Sequence, residues 1–206
     1  MAKSNQNNEL NEMSVDKNPF IQFTKWYETI LNSKLNEPTA MMLSTADVNG
    51  NSSARIVLLK EIDDTGFVFY TNYGSRKGKD LKENPKAALN FFWDEPQRQI
   101  RIEGRIEKIS KETSKKYFSS RPRESRIGAW VSAQSSVIPN REYLENKFDE
   151  LKEKFGNEEI PLPDYWGGYK VIPNYFEFWQ GRENRFHDRI CYKKENEEWK
   201  IFRLAP

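Results

Sequence analysis

The chain has one histidine, His187, set within Arg185-Phe186-His187-Asp188-Arg189. Read as a β-strand over residues 185–193, this segment projects Arg185, His187 and Arg189 from one face, because side chains alternate along a strand. Two guanidiniums beside an imidazole are costly without an anionic partner. Guanidinium offers planar donors suited to phosphate or carboxylate, and imidazole exchanges a proton near neutral pH. The row therefore points to an anion held beside a proton-exchanging group. The competing reading is a solvated edge strand whose charges discourage aggregation.

Three further groups could bind anions. Arg55-Ile56-Val57-Leu58-Leu59-Lys60 is an apolar strand with a cation at each end. Such cations must reach solvent, by snorkelling outward, or meet a bound anion. Gly74-Ser75-Arg76-Lys77 opens a helix after Tyr70-Thr71-Asn72. Free amides, the positive end of the helix dipole and two cations there make a phosphate cradle, or else a routine exposed helix start. It is not a P-loop, because its glycine spacing is short by one and Asp80 stands where a hydroxyl residue is needed. Tyr117, Arg121 and Ser125 recur at steps of four and could hold a second anion, although Pro122 interrupts a helix there. No G-x-S-x-G elbow occurs, and no G-x-G-x-x-G supports a dinucleotide site.

The elements that must position these groups follow from periodicity. A helix opens at Asn18-Pro19, with Phe20, Phe23, Tyr27, Ile30 and Leu31 on one stripe, and ends before Pro38. Strands are expected over residues 39–46, 53–62, 66–72, 86–93, 98–109, 168–172, 175–180, 185–193 and 199–204, with Asn49-Gly50 as a hairpin-type turn. Gly104 marks a bulge or a close approach. Helices are expected over residues 74–84 with Ser75 as N-cap, over 111–120, and over 142–155. Short links favour antiparallel pairing, hence a mainly β (α+β) fold: a barrel with flanking helices.

Composition sets the outer bounds. The chain has 206 residues and a formal net charge of +2, so it lacks the broad basic field that nucleic acid demands. Hydrophobic content is 36%, and aromatics at 14% supply burial that aliphatics do not. One cysteine and one histidine argue against a zinc site and fit a reducing compartment. Residues 1–17 are rich in Asn, Glu and Ser; residues 1–18 are expected to be disordered, and 19–206 to form one domain. No apolar run approaches the ~18 residues of a membrane span, so a cytoplasmic protein with no membrane partner is expected.

Several motifs together, in order, resemble the pyridoxine (pyridoxamine) 5′-phosphate oxidases. They are Ser53-Ala54-Arg55-Ile56-Val57-Leu58-Leu59-Lys60, Phe69-Tyr70-Thr71-Asn72, Gly74-Ser75-Arg76-Lys77, Arg98-Gln99 and Tyr117-Phe118-Ser119-Ser120-Arg121-Pro122. Beyond them lie Gly128-Ala129-Trp130-Val131-Ser132 with Gln134-Ser135, Trp166-Gly167-Gly168, Phe178-Trp179-Gln180-Gly181, Arg185-Phe186-His187-Asp188-Arg189 and Arg203-Leu204-Ala205-Pro206. The resemblance runs from about Pro19 to the last residue. It implies an antiparallel FMN-binding split β-barrel, a homodimer with FMN at its interface. It also implies oxidation of pyridoxine 5′-phosphate or pyridoxamine 5′-phosphate to pyridoxal 5′-phosphate, with O2 as acceptor, H2O2 as product and NH3 released from the amine.

By the family pattern, Arg55, Lys60, Arg76 and Lys77 would serve the FMN phosphate and nearby groups. Ile56, Val57, Leu58, Leu59, Tyr70, Thr71, Gln99, Gln134, Ser135, Trp179 and Arg189 would complete the FMN site. Lys60, Tyr117, Arg121 and Ser125 would hold the substrate phosphate. Arg185 and His187 would face the pyridine ring as the catalytic pair. Two departures stand out: residues 5–16 are acidic and amide-rich where the family often carries arginine, and Arg182 stands where it often has a small or neutral residue. A related flavin oxidase acting on another ring, such as a phenazine precursor, would not need Tyr117, Arg121 and Ser125 as phosphate ligands. A non-enzymatic module binding FMN or nucleic acid is the remaining alternative, which the balanced charge disfavours.

Overall fold

The computed structural model describes residues 9–206. Helix α1 (Pro19–Leu31) starts where Asn18 accepts a hydrogen bond from the Phe20 amide at 2.9 Å, with Pro19 at a first-turn position that needs no N–H donor. Its inner stripe buries Phe23, Trp26, Tyr27 and Ile30. Nine strands follow: β1 (Ala40–Ala46), β2 (Ser52–Leu58), β3 (Glu61–Asp63), β4 (Gly66–Asn72), β5 (Lys86–Trp93), β6 (Arg98–Lys108), β7 (Trp166–Gln180), β8 (Asp188–Glu195) and β9 (Glu198–Arg203). Four helices are set among them: α2 (Arg76–Glu83), α3 (Lys111–Ser120), α4 (Arg123–Val131) and α5 (Arg141–Phe155).

All pairings are antiparallel, in the order β2-β1-β5-β6-β7-β4-β3, with β8 on β7 and β9 on β8. Strand β7 explains the split. One of its edges pairs with β6, while its other edge serves β4 along residues 166–171 and β8 along 175–180. The concave side holds an aromatic core in which Phe23 meets Phe67 and Phe91 edge to face at 4.9 and 5.2 Å. A second, smaller core lies under α3, α4 and α5, around Phe118, Ile127, Val131, Ile160 and Trp166. No helix among the described residues is long and apolar enough to cross a membrane.

Several expectations are corrected here. The strand expected over residues 53–62 is two strands. The Leu59 amide bonds to Thr39 O and the Lys60 amide to Val68 O, so the chain passes from the β1 side to the β4 side and curls the sheet. The two strands expected over 168–172 and 175–180 are one, β7. A register shift at Glu103/Gly104 opposite Pro173 absorbs the proline that cannot donate. A Cβ on Gly104 would run into the Ile172 carbonyl oxygen, so the close approach expected at this glycine is real. The strand expected to begin at Arg185 begins at Asp188 instead. Residues Glu183–Arg185 form a 3-10 turn in which Asn184 and Arg185 take left-handed φ values of 55° and 63°. Helix α4 was not expected: Pro122 takes its N-cap position, so the proline that ends α3 also starts the next helix. Of the segment expected to be disordered, residues 1–8 lie outside the described residues. Residues 9–18 are ordered: Leu10 and Val15 are buried in the core, and the Tyr192 hydroxyl donates to Asp16 O at 2.6 Å.

Candidate functional site

A cavity of about 520 Å³ opens between the sheet and the helical cap. Strand β2 and the residues after it supply Ile56, Val57, Leu58 and Lys60; β4 supplies Tyr70, Thr71 and Asn72; α2 supplies Lys77. From the cap come Tyr117, Arg121, Ser125, Gly128, Ala129, Ser132 and Gln134, with Trp166 from β7. The fold thus gathers Lys60, Tyr117, Arg121 and Ser125 in one cavity although they do not share one helix face. Tyr117 lies on α3, Ser125 on α4, and Arg121 caps α3 between them.

The cavity has a cationic corner. Ser75 caps α2 by accepting from the Gly78 amide. The first turn of the helix carries Lys77 inward, where its Nζ donates to Gln134 Oε1 at 2.8 Å and Thr71 Oγ1 at 3.1 Å. Burial, aided by the nearby Arg55 charge, pulls the Lys77 ammonium down to about 8. Arg55 does not snorkel outward. Its guanidinium donates to Thr45 Oγ1 at 2.8 Å and Ser53 Oγ at 2.7 Å, and lies 3.8 Å from the buried Asp80 carboxylate. Arg76 begins α2 at the same corner, close enough for its charge to act on Arg55. Leu59 belongs to the core. Ser135, with φ at 71°, lines a neighbouring cavity of about 460 Å³ that shares Asn72 and Gln134 with the first.

The opposite wall is aromatic. Tyr70, Tyr117 and Trp166 are nearly parallel, with Tyr70 centred 3.9 Å from Tyr117 and 5.4 Å from Trp166. The Tyr70 hydroxyl donates to Glu61 at 2.9 Å; burial first and that carboxylate second push its phenol up. The Arg121 guanidinium lies 5.0 Å from the Trp166 ring centre, and burial pulls its pKa down. Its Nη1 is buried and has no hydrogen-bond partner among the described residues. The predicted site set omits Trp166 and Asn72, although both fall within the motifs quoted above. The ring stack of residues 70, 117 and 166 could not be read from them, because it forms only when β4, α3 and β7 are assembled.

The remaining predicted residues do not line this cavity. Gln99, Trp179 and Arg189 form one register row across β6, β7 and β8 on the outer face, opposite the row of Phe91, Ile100, Phe178 and Ile190 that fills the core. His187 packs on Trp179 at 4.7 Å, and its Nδ1 accepts from the Arg182 amide at 3.1 Å. Arg185 is exposed on the left-handed turn rather than aligned with His187 and Arg189. Asp188 points the other way, into ion pairs with Arg182 at 2.7 Å and Arg203 at 2.9 Å. The same outer face exposes Ile56 (61%) and Phe92 (57%).

Residues 29–155 match the pyridoxamine 5′-phosphate oxidase family, and residues 166–206 match the pyridoxine 5′-phosphate oxidase C-terminal dimerisation region. A pyridoxine/pyridoxamine 5′-phosphate oxidase of a Nostoc species is 55% identical over 198 residues, covering 96% of this chain and 92% of that protein. A pyridoxine/pyridoxamine 5′-phosphate oxidase 2 from Hydrogenovibrio crunogenus is 52% identical over 197 residues, with 96% and 92% covered. Among solved structures, PhzG from Burkholderia lata, in complex with tetrahydrophenazine-1-carboxylic acid, superposes with a TM-score of 0.90 at 29% identity, covering 97% of this chain and 98% of that one. A split barrel, a cavity lined by cations and parallel rings, and these matches along nearly its whole length lead to one conclusion: the chain belongs to the pyridoxine/pyridoxamine 5′-phosphate oxidase family.

Proposed function

We propose that this protein oxidises pyridoxine 5′-phosphate and pyridoxamine 5′-phosphate to pyridoxal 5′-phosphate, using FMN with O2 as acceptor. The observation that carries this reading is Arg121. A buried guanidinium nitrogen without an acceptor is costly, and a phosphate entering the cavity would satisfy it. Lys60, Tyr117 and Ser125 line the same cavity and add the further donors that a phosphate monoester needs. A ring substrate without phosphate, like the ligand bound to PhzG, would leave this set unused. That favours the vitamin B6 esters, as does the 55% identity to oxidases named for them.

The residues present fit FMN. Lys77, with Thr71, Gln134 and the nearby Arg76 and Arg55, forms a cationic corner for its phosphate. Ile56, Val57 and Leu58 offer the adjacent apolar wall on which a flat ring system could rest. When bound, FMN would supply the two-electron oxidation and pass the electrons to O2, giving H2O2; for the amine substrate, water would then replace the nitrogen of the oxidised product and release NH3. The outer row of Gln99, Trp179 and Arg189 does not line the cavity of its own chain, so this reading needs a second copy to bring that row to it. The exposed Ile56 and Phe92 and the match of residues 166–206 to a dimerisation region support such a pairing.

Within that pair, Arg185 positions the oxygen substituents of the substrate and steadies charge developing there. The Arg182 amide already donates to His187 Nδ1, so the imidazole carries its proton on Nε2. His187 is thereby a donor at Nε2, suited to orienting an oxygen substituent of the ring. The test is a spectrum. Purified protein should be yellow, and its visible flavin band should bleach on anaerobic addition of pyridoxine 5′-phosphate. A colourless protein that takes up no FMN would refute the flavin reading. A yellow one bleached only by a non-phosphorylated ring would refute the substrate.

A further inference from the structure

Glu177 is an acid in the wrong place for an ordinary strand. Alternation along β7 puts it on the outer face, one register row from Trp179, where Arg101, Glu177 and Cys191 stand abreast. Yet it is only 2% exposed. It is covered by side chains that bind it. Arg189 Nε donates to Oε1 at 2.8 Å, Arg101 Nη1 donates to Oε2 at 3.1 Å, and the Tyr175 hydroxyl reaches Oε2 at 3.3 Å. The Ala205 carbonyl takes Arg189 Nη1 at 2.8 Å, so the guanidinium is held along two of its edges.

Stability alone does not account for this arrangement. Burying a carboxylate costs about as much as its ion pairs return, and apolar residues of the same volume often serve as well. Arg101 has a second carboxylate in Glu103 at 2.8 Å and does not depend on Glu177. What Glu177 adds is the charged partner that, with the Ala205 carbonyl, fixes the direction of Arg189. The Glu177 hydrogen bond is also the main cause raising the Arg189 pKa.

We infer that Glu177 is a positioning residue that aims the Arg189 guanidinium from the outer row toward the flavin of a site shared with a second copy. This rests on the flavin reading above. It predicts that Glu177 acts on the cofactor through Arg189 and by no other route.

A double-mutant cycle on the full-length protein tests it. Apoprotein is titrated with FMN, and Kd is read from quenching of flavin fluorescence, with visible circular dichroism of the bound flavin as a second readout. Glu177→Gln should weaken FMN binding about ten-fold and change the dichroism, but weaken it less than about two-fold in an Arg189→Gln background. An equal loss in both backgrounds, or no loss in either, overturns the inference while leaving the flavin reading intact. A parent protein that takes up no FMN overturns both. If Glu177→Gln does not fold, Glu177→Asp, which keeps the buried charge but withdraws it from Arg189, takes its place in the same cycle with the same expected coupling.

Discussion

The Arg121 guanidinium lies 5.0 Å from the Trp166 ring centre and 5.8 Å from that of Phe118, while its Nη1 is buried without an acceptor. Its aromatic contacts fix its position and leave one buried donor without an acceptor. Replacing it with Gln should raise KM for pyridoxine 5′-phosphate by about fifty-fold, roughly 2.3 kcal/mol for a charge-assisted contact. FMN affinity should change less than about three-fold. Steady-state kinetics beside an FMN titration decides the matter: equal losses in both would move Arg121 to the cofactor.

Lys77 sets a pH dependence. Its folded value of about 8 lies below the ordinary 10.5, so between those values the unfolded chain holds more protons and apoprotein stability rises with pH. Binding of a phosphate works the other way, because it favours the charged ammonium. FMN affinity should therefore fall as pH rises through about 8, with proton uptake on binding near that pH. Calorimetry in buffers of different ionisation enthalpy measures the uptake, and Lys77→Met should abolish it.

At Gly104 the sheet tolerates no side chain, since a Cβ would meet the Ile172 carbonyl oxygen and the Pro173 backbone. Gly104→Ala should cost about 2–3 kcal/mol of stability in urea denaturation, as overpacking a rigid contact does. A change below about 0.5 kcal/mol would show that β7 can shift to make room.

Asp188 ties the N-terminal segment to the turn carrying Arg185 and His187. Burial works to raise its pKa, but Arg203 and Arg182 hold the carboxyl below the usual range. Arg203 in turn donates to Leu10 O at 2.8 Å. A depressed carboxyl contributes stability above its unfolded pKa and loses it as pH falls through the folded value. Asp188→Ala should thus cost about 3 kcal/mol at neutral pH, with the difference shrinking in acid. Limited proteolysis should then cut within residues 9–18 faster than in the parent.

Much of this was legible in the sequence because local physics dictated it. Asn18-Pro19 and Ser75 set their helix starts, and period-two runs placed β4 and β5 at their observed bounds. What was hidden depended on tertiary partners. The left-handed turn at Asn184 and Arg185 has no glycine to announce it, so residues 185–187 looked like the start of β8. The inward pull of Arg182 and Arg203 on Asp188 cannot be read from a neighbouring His-Asp pair. Leu10 and Val15 are two apolar residues in a polar stretch, too sparse to signal that they enter the core. The phosphate-type residues were identifiable by type, but their division between an inner cavity and an outer row was set by how β7 crosses the sheet.

The 15 residues of β7 carry Trp166 near one end and Trp179 near the other. Thirteen steps of extended chain span roughly 40 Å, more than a flavin nucleotide can bridge. On the flavin reading proposed above, one subunit could not grip a single cofactor with both tryptophans, and each molecule would lend a hand to two separate occupants. The strand becomes a tie-rod whose length is fixed by covalent geometry. Insertions or deletions between those two indoles would detune both ends at once, whereas residues 132–140 and 156–165 can lengthen or shorten without disturbing the spacing.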